Sequence, residues 1–143
     1  MPRVNENGPV GREPNYRASI LAMDSDADVR DLLRLHLSAA GYEVRLAEDP
    51  VDASRQVLER APDLLIADIS VPYMSGLDFV GALRADTTLP RFPVILLATE
   101  EENPEHASQS SGLPMLTKPM VVDQLLACVA HALRPNVADA KRR

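Results

Sequence analysis

Three charged side chains each directly follow a short, mostly apolar run of the sequence: Asp24, Asp68 and Lys118. A carboxylate in such a position can act as a nucleophile toward a phosphoryl group and form an acyl phosphate. Because the carboxylate and the phosphoryl group are both anionic, this step needs cations nearby, and a lysine supplies a compact positive charge. These residue types therefore suit phosphoryl transfer, provided that the fold brings them together.

The elements that would position these residues alternate between strand and helix patterns. Strand patterns cover residues 19–23, 42–46, 64–67, 94–97 and 115–117. Apolar residues at helical spacing occupy residues 29–40, 53–61, 77–83 and 122–133. Residues 100–112 hold few apolar side chains, so a helix there has little to bury. Repeated alternation predicts a parallel sheet with helices on both faces and a site at the carboxyl ends of the strands.

Composition divides the chain into a central domain and two polar ends. Residues 1–17 are polar and rich in proline and glycine, which predicts a disordered N-terminal tail. Residues 18–134 carry the alternating pattern and form the predicted domain, and residues 135–143 are predicted to be a flexible C-terminal tail. A chain of 143 residues has room for one domain of this kind.

Charge and hydropathy disfavour several classes of protein. The formal net charge of −6 argues against a nucleic-acid partner. No apolar stretch reaches the length of a membrane span, and the polar N-terminus is the opposite of a signal peptide. We therefore expect a cytoplasmic protein without a membrane partner. Cys128 is the only cysteine, which rules out an intramolecular disulfide.

Five short motifs occur in order along residues 19–133. They read Ile20-Leu-Ala-Met-Asp24, Pro62-Asp-Leu-Leu-Ile-Ala-Asp68, Val71-Pro72-Tyr-Met-Ser-Gly76, Pro93-Val-Ile-Leu-Leu97 and Thr117-Lys118-Pro119. Together they resemble the receiver domain of bacterial response regulators, in a single-domain form like the chemotaxis regulators. The resemblance implies an α/β, flavodoxin-like fold: a doubly wound, five-stranded parallel sheet in the order 2-1-3-4-5, with helices on both faces. The fourth helix is expected to be short or degraded.

The resemblance also implies a role for each of the charged residues. Asp68 would be the phosphoacceptor, Lys118 the cation that contacts the phosphoryl group, and Asp24 an acid at the end of the first strand. A weakly bound Mg²⁺ would be held by Asp24, Asp68 and the backbone carbonyl of Ser70. The surrounding loops would be supported by Pro72, Gly76 and Pro119, the last through a cis peptide bond.

The end of the first strand departs from the family pattern. Ser25 stands where the family places a second acid that contacts the metal directly, and a hydroxyl is a poorer ligand than a carboxylate for a hard dication. The segment Ser25-Asp-Ala-Asp28 also fits a capping box, which predicts Ser25 as the N-cap of the first helix. Asp26 could instead lean toward the metal, although capping is the favoured interpretation.

The positions that couple phosphorylation to a response depart as well. The family places Thr or Ser at the end of the fourth strand, where this chain has Ala98. Thr99 follows, but in a strand this offset points its hydroxyl to the opposite face. Met115 replaces the usual aromatic switch residue, and methionine has no hydroxyl and no comparable rotamer change. The resemblance therefore indicates an atypical receiver.

The function implied is that of a stand-alone response regulator in a two-component phosphorelay. A sensor histidine kinase or a histidine phosphotransfer protein would donate the phosphoryl group to Asp68. The protein would then act by docking to a downstream protein or by onward phosphotransfer. It would not be an enzyme, beyond assisting its own phosphorylation and dephosphorylation. Because the fourth-helix face is altered, both a monomer and a homodimer through another face stay open.

Two alternatives are retained. A pseudo-receiver would act as a phosphorylation-independent protein-interaction module. Ser25, Ala98 and Met115 favour this alternative, and Asp24, Asp68 and Lys118 oppose it. An enzyme or flavin-binding protein of the same fold is disfavoured, because no glycine-rich phosphate loop follows the first strand. The aspartate phosphatases also need an acid two residues after the nucleophile, where this chain has a serine.

Overall fold

The computed structural model describes residues 15–134, in which five strands alternate with five α-helices. The strands are β1 (Ser19–Met23), β2 (Glu43–Ala47), β3 (Leu64–Asp68), β4 (Val94–Thr99) and β5 (Met115–Lys118). The helices are α1 (Ala27–Ala39), α2 (Pro50–Glu59), α3 (Gly76–Ala85), α4 (Pro104–Ser111) and α5 (Val122–Ala132). A short 3₁₀ turn, Glu100–Glu102, follows β4.

All five strands are parallel and lie in the order β2-β1-β3-β4-β5, which confirms the predicted flavodoxin-like, doubly wound sheet. β1, β3 and β4 are central and almost entirely buried, as continuous apolar runs in a parallel sheet should be. Chain order reverses at β1, whose two neighbours are β2 and β3. In open α/β sheets ligand sites lie beyond the carboxyl ends of the strands at such a switch point.

Each face of the sheet packs an apolar core of its own. One core places α1 and α5 against the sheet and includes Ile20, Leu33, Ile66, Leu97 and Leu125. The other places α2 and α3 against the opposite face and includes Leu21, Val57, Leu65, Phe79 and Leu96. Neighbouring strand residues belong to different cores because successive side chains of a strand point to opposite faces. The helices therefore hold the sheet from both sides.

Strand register brings the chemically interesting residues to one edge of the sheet. Met23 pairs with Ala67, so that Asp24 and Asp68 both lie at the carboxyl ends of their adjacent strands. On the other side of β3, Asp68 itself pairs with Leu97 of β4. β5 joins β4 with Lys118 at its own carboxyl end. Asp24, Asp68 and Lys118 therefore lie at the same edge of the sheet because the carboxyl ends of their strands are aligned.

The chain ends were predicted to be tails, and most of them lie outside the described residues, namely 1–14 and 135–143. Within the described residues, the Arg17 amide donates a 3.0 Å hydrogen bond to the Gly41 carbonyl. Its guanidinium donates to the Ala40 carbonyl and lies 4.7 Å from the centre of the Tyr42 ring. No helix within residues 15–134 is long and apolar enough to cross a membrane. The cytoplasmic location stays a prediction.

The fourth helix is short, as expected. α4 has eight residues and buries only Ala107. It starts after Asn103 and ends before Gly112, and both flanking residues have left-handed backbone conformations. The Ser111 hydroxyl donates a 2.7 Å hydrogen bond to the Ala107 carbonyl, a side-chain contact that competes with helical backbone geometry. α4 therefore adds little apolar burial to the domain.

Gly76 provides a test of how tightly α3 packs against the end of β3. A Cβ atom at this position would overlap the Asp68 carbonyl oxygen and lie 2.8 Å from Ile69 Cα. We expect Gly76→Ala to lower the free energy of unfolding by about 1–3 kcal/mol, measured by urea denaturation. Gly81→Ala in the same helix is the matched control, because its Cβ would meet nothing within 4 Å. It should stabilise by about 0.5–1 kcal/mol, and equal effects of the two substitutions would contradict the packing argument.

Candidate functional site

Lys118 links two buried carboxylates at the carboxyl edge of the sheet. Its Nζ atom lies 2.7 Å from Asp24 Oδ2 and 3.0 Å from Asp68 Oδ2. Asp24 is fully buried and Asp68 is 3% exposed, and these are the buried charged residues among residues 15–134. The structure therefore brings together the predicted acceptor, the acid and the lysine that the sequence singled out. Buried charges persist only when they are paired in this way.

The electrostatics of the site leave it short of positive charge. Burial raises the pKa of the Asp68 carboxyl, and the nearby Asp24 acts in the same direction. Hydrogen bonds from the Ser70 amide and the Lys118 ammonium act against this rise without cancelling it. Burial alone would lower the pKa of Lys118, but its contacts with both carboxylates outweigh burial and raise it. Lys118 is thus held as a cation between two acids that together exceed its charge.

The acceptor loop holds Asp68 in place through the backbone. The Ser70 amide donates a 3.0 Å hydrogen bond to Asp68 Oδ1, which leaves Oδ2 to Lys118. The Gly76 amide closes the loop by donating to the Ile69 carbonyl at 2.9 Å. Pro72 is exposed in the loop between these contacts. The second loop of the site follows Lys118 and begins with a cis peptide bond to Pro119.

The first helix begins one residue later than the sequence analysis predicted. The N-cap is Asp26, whose carboxylate accepts a 2.8 Å hydrogen bond from the Asp28 amide, so the predicted capping role of Ser25 is wrong. The reason is that Asp24 Oδ1 accepts a 2.9 Å hydrogen bond from the Asp26 amide, which leaves Ser25 in the turn. Aspartate caps helices as well as serine does. Ser25 is exposed, and Asp26 caps the helix.

The donor set fits a divalent cation with few protein ligands. Asp24 Oδ2 is buried and has no aligned hydrogen-bond donor, its close contact being the Lys118 ammonium. Asp68 and the Ser70 backbone would complete a set of two carboxylates and one carbonyl. Across the described part of the chain, no group of three or more His, Cys, Asp or Glu side chains could hold a metal ion. Mg²⁺ accepts one or two carboxylates with several waters, so these residues fit the ion, with Ser25 adding no carboxylate.

The positions associated with switching lie in β4 and β5. Ala98 is fully buried and by strand alternation lies on the side of Leu96, whereas Thr99 lies on the side of Leu97. The Thr99 amide donates a 2.8 Å hydrogen bond to Glu102, which ties this residue to the 3₁₀ turn. Met115 is half-buried against the core of α2 and α3. Thr99 thus does not place its hydroxyl on the Ala98 side.

Arg30 is a neighbour of the site that sequence reasoning did not single out. Its Nη1 atom donates a 2.8 Å hydrogen bond to the backbone carbonyl of Asp24. The guanidinium is mostly buried, with 19% of the side chain exposed. A basic residue in the first turns of a helix after a strand end was the available signal, but many such residues point to solvent. Only the path of α1 over the end of β1 reveals the contact.

The raised pKa of Asp68 predicts how stability depends on pH. Because the folded-state pKa lies above the unfolded-state value near 4, stability falls as pH rises between the two, and the loss is complete above the folded-state pKa. We therefore expect metal-free Asp68→Asn to resist urea better than wild type at about pH 8, with a smaller difference near pH 4. Asp31→Asn, at an exposed acid, is the control without this gain. If Asp68→Asn were less stable than wild type at neutral pH, that result would contradict a raised pKa of Asp68 in the folded state.

Comparison with known proteins agrees with the fold and the motifs. The response regulator receiver domain profile matches residues 20–130. The transcriptional regulatory protein KdpE of Mycobacterium tuberculosis H37Rv is 34% identical over 124 residues, which cover 85% of this chain and 54% of that protein. The response regulator MprA of Mycobacterium leprae is 34% identical over 122 residues, covering 84% of this chain and 53% of that protein.

Solved structures of response regulators have the same fold. The chemotaxis response regulator CheY4 of Vibrio cholerae superposes with a TM-score of 0.73 at 30% identity, over 81% of this chain and 98% of that one. The receiver domain of NtrX from Brucella abortus gives 0.72 at 28% identity, over 82% and 99%. The chain spans about half the length of the curated relatives it matches. Profile, relatives and structures together show that this chain belongs to the receiver-domain family of two-component response regulators.

Proposed function

We propose that this receiver accepts a phosphoryl group on Asp68 from a sensor histidine kinase or a histidine phosphotransfer protein. The observation that carries the proposal is the Lys118 ammonium, which lies 3.0 Å from the Asp68 carboxylate and is shared with Asp24. A buried nucleophile beside a fixed cation is what transfer of an anionic group requires. The hydrogen bond from the Ser70 amide and the close packing of Gly76 on the backbone of Asp68 hold the proposed nucleophile in place at the end of β3.

The chemistry is a displacement at phosphorus. An Asp68 carboxylate oxygen forms a P–O bond while the P–N bond of the donor phosphohistidine breaks. The donor ring carries a proton on its other nitrogen before the step, so it leaves as neutral imidazole. Lys118 neutralises part of the charge on the phosphoryl oxygens, and Asp24 holds the ammonium on the acceptor side. Attack of water on phosphorus returns the Asp68 carboxylate and inorganic phosphate. In this sense the domain assists its own phosphorylation and dephosphorylation.

Asp24, Asp68 and the Ser70 backbone carbonyl are the groups that would hold Mg²⁺. When bound, the ion supplies positive charge for the carboxylates and the incoming phosphoryl group. The chain's own contribution is to keep both carboxylates together, with Lys118 on them. Because Ser25 contributes no carboxylate, the affinity for Mg²⁺ is expected to be weak.

Signalling by docking or by onward phosphotransfer is proposed for the output. Ala98 offers no hydroxyl to the phosphoryl group, and α4 is only lightly packed, so the usual hydrogen-bonded route to the α4 face is absent at this position. Direct recognition of the altered site, or transfer to another histidine, needs no such route. The stand-alone organisation, the homodimer and the lack of a nucleic-acid partner stay predictions, since the curated relatives include proteins called transcriptional regulators.

The second candidate is a pseudo-receiver that binds partners without phosphorylation. The buried Ala98 favours it, because a side chain without a hydroxyl cannot report a phosphoryl group. The half-buried Met115 favours it for the same reason. The intact contacts of Lys118 with both carboxylates weigh against it. The two candidates differ in whether Asp68 forms a covalent bond to phosphorus.

Incubation with acetyl phosphate and Mg²⁺, followed by intact-mass measurement, separates the two candidates. We expect a mass increase of about 80 Da, the mass of one phosphoryl group, in the wild type. Asp68→Asn should show no increase, because the amide is not a nucleophile. Asp63→Asn, at an exposed acid on the opposite edge of the sheet, is the control that should still gain mass. An unmodified wild type, even with its kinase, would favour the pseudo-receiver.

The single carboxylate at the end of β1 predicts that a second one would raise the affinity for Mg²⁺. Ser25→Asp would add a carboxylate at the exposed position beside Asp24, so we expect Mg²⁺ to bind at least about tenfold more tightly, measured by calorimetry. Ser38→Asp adds the same charge near the far end of α1 and should leave the affinity nearly unchanged. Equal affinities of wild type and Ser25→Asp would show that the side chain at this position does not limit metal binding.

A further inference from the structure

We infer that Arg30 is a positioning residue that fixes the end of β1 so that the Asp24 carboxylate stays against Lys118. Arg30 belongs to α1, and its side chain reaches back to the strand end. Nη1 donates a 2.8 Å hydrogen bond to the Asp24 backbone carbonyl. The inference deepens the proposed function, because Asp24 is one of the two carboxylates of that site.

The other contact of the guanidinium is weaker. Nη2 lies 3.9 Å from Glu48 Oε2, and the Glu48 side chain is 66% exposed. An ion pair at this distance on the surface contributes little, because water and salt screen it. The bond to the Asp24 carbonyl is shorter and lies where the arginine is mostly buried. A hydrogen bond from a charged donor in that setting is among the stronger ones in a protein.

The place of Arg30 in α1 does not favour the helix itself. α1 begins at Ala27, so Arg30 lies at the end of its first turn. A positive charge near a helix N-terminus is unfavourable with the helix dipole. The exposed Asp28 of the same turn has the favourable sign. Arg30 is therefore better explained by its contact with the strand end than by helix stability.

Asp24 is held from three directions, and Arg30 supplies one of them. The Asp24 amide donates to the Ala47 carbonyl at 3.0 Å, and Asp24 Oδ1 accepts from the Asp26 amide at 2.9 Å. Arg30 takes the remaining backbone group, the carbonyl. With these groups engaged, Oδ2 is the Asp24 atom that faces Lys118. Loss of the Arg30 bond would free the turn between β1 and α1 while leaving the β1–β2 ladder intact.

This role matters more because position 25 is a serine. Asp24 is the acid that points inward at the β1 end, the next residue offers no carboxylate, and the Asp26 carboxylate is engaged in capping α1. Groups that orient a metal ligand commonly change affinity by about 10–100-fold when they are removed. For a single bond to a backbone carbonyl we expect an effect near the lower end of that range.

The test compares Arg30→Met, which removes the donors and the charge, with Arg34→Met on the same helix. Arg34 is exposed and pairs with Asp31 at 3.7 Å, so it controls for the loss of a helical arginine. The first readout needs no metal and no phosphoryl donor: the rate at which the Asp26 amide proton exchanges with solvent, measured by NMR. That amide bonds to Asp24 Oδ1, so it reports how firmly the carboxylate is held.

We expect Arg30→Met to speed exchange of the Asp26 amide at least about threefold and to weaken Mg²⁺ binding about tenfold. Amides of β3 serve as the reference for global stability and should keep their protection. Arg34→Met should match wild type in both readouts. If Arg30→Met unsettles β3 as well, Arg30→Lys carries the test, since it keeps one donor and should fall between wild type and the Met variant.

Unchanged exchange of the Asp26 amide in Arg30→Met, together with Mg²⁺ affinity within twofold of wild type, would overturn the positioning role. Equal changes in Arg34→Met would overturn it as well, because the effect would then belong to helix charge. Failure of the proposed function looks different. In that case the wild type takes up no phosphoryl group from acetyl phosphate, while the metal-free exchange rates still decide the role of Arg30.

Discussion

Lys118 Nζ lies within 3.0 Å of the carboxylates of both Asp24 and Asp68, and one positive charge cannot balance two buried negative charges. The excess negative charge is the condition to which the rest of the site responds. Burial raises the pKa of Asp68, and the Asp24 carboxylate adds to that rise. The excess negative charge also leaves room for a further cation when a phosphoryl group arrives. Without Lys118, two carboxylates at neighbouring strand ends would repel each other in a setting where water cannot screen them.

The scaffold holds this arrangement through aligned strand ends and close backbone packing. β1 and β3 are buried on both faces, so neither can shift without disturbing one of the two cores. Gly76 lets the start of α3 approach the Asp68 carbonyl more closely than any side chain would allow. The read-out side is built differently, because α4 buries one residue and β5 is only half-buried. The strands that carry the proposed acceptor site are buried, whereas α4 and β5, on the side of the switch positions, bury far fewer side chains.

Departures from the family pattern occur on both sides of the site. Ser25 reduces the negative charge available to a metal, and Ala98 removes a hydroxyl from the end of β4. Neither change disturbs the contacts of Lys118 with its two carboxylates. Under the proposed function, changes at the switch positions would therefore leave the contacts of the predicted acceptor intact. This combination is the basis on which we propose recognition by direct docking or by onward phosphotransfer.

Much of the architecture could be predicted because it follows from local patterns. Continuous apolar runs marked the central strands, and parallel pairing then required their ends to meet at one edge. Asp24, Asp68 and Lys118 could be grouped on that basis, since each directly follows a strand pattern. The short α4 was foreseeable from the lack of apolar residues in 100–112. The start of α1 was predicted one residue too early, because Ser25 and Asp26 have similar capping preferences. The hydrogen bond that the Asp26 amide donates to Asp24 Oδ1 decides between them.

By itself, then, the sequence determined the order of elements, the two apolar faces of the sheet and the identity of the charged residues at its edge. These properties depend on periodicity and on residue type, which are local. Only the tertiary structure decided that Lys118 bridges both carboxylates and that Arg30 reaches the Asp24 carbonyl. Such contacts join residues from different elements, and their distances depend on how helices pack over strand ends, which no local pattern specifies.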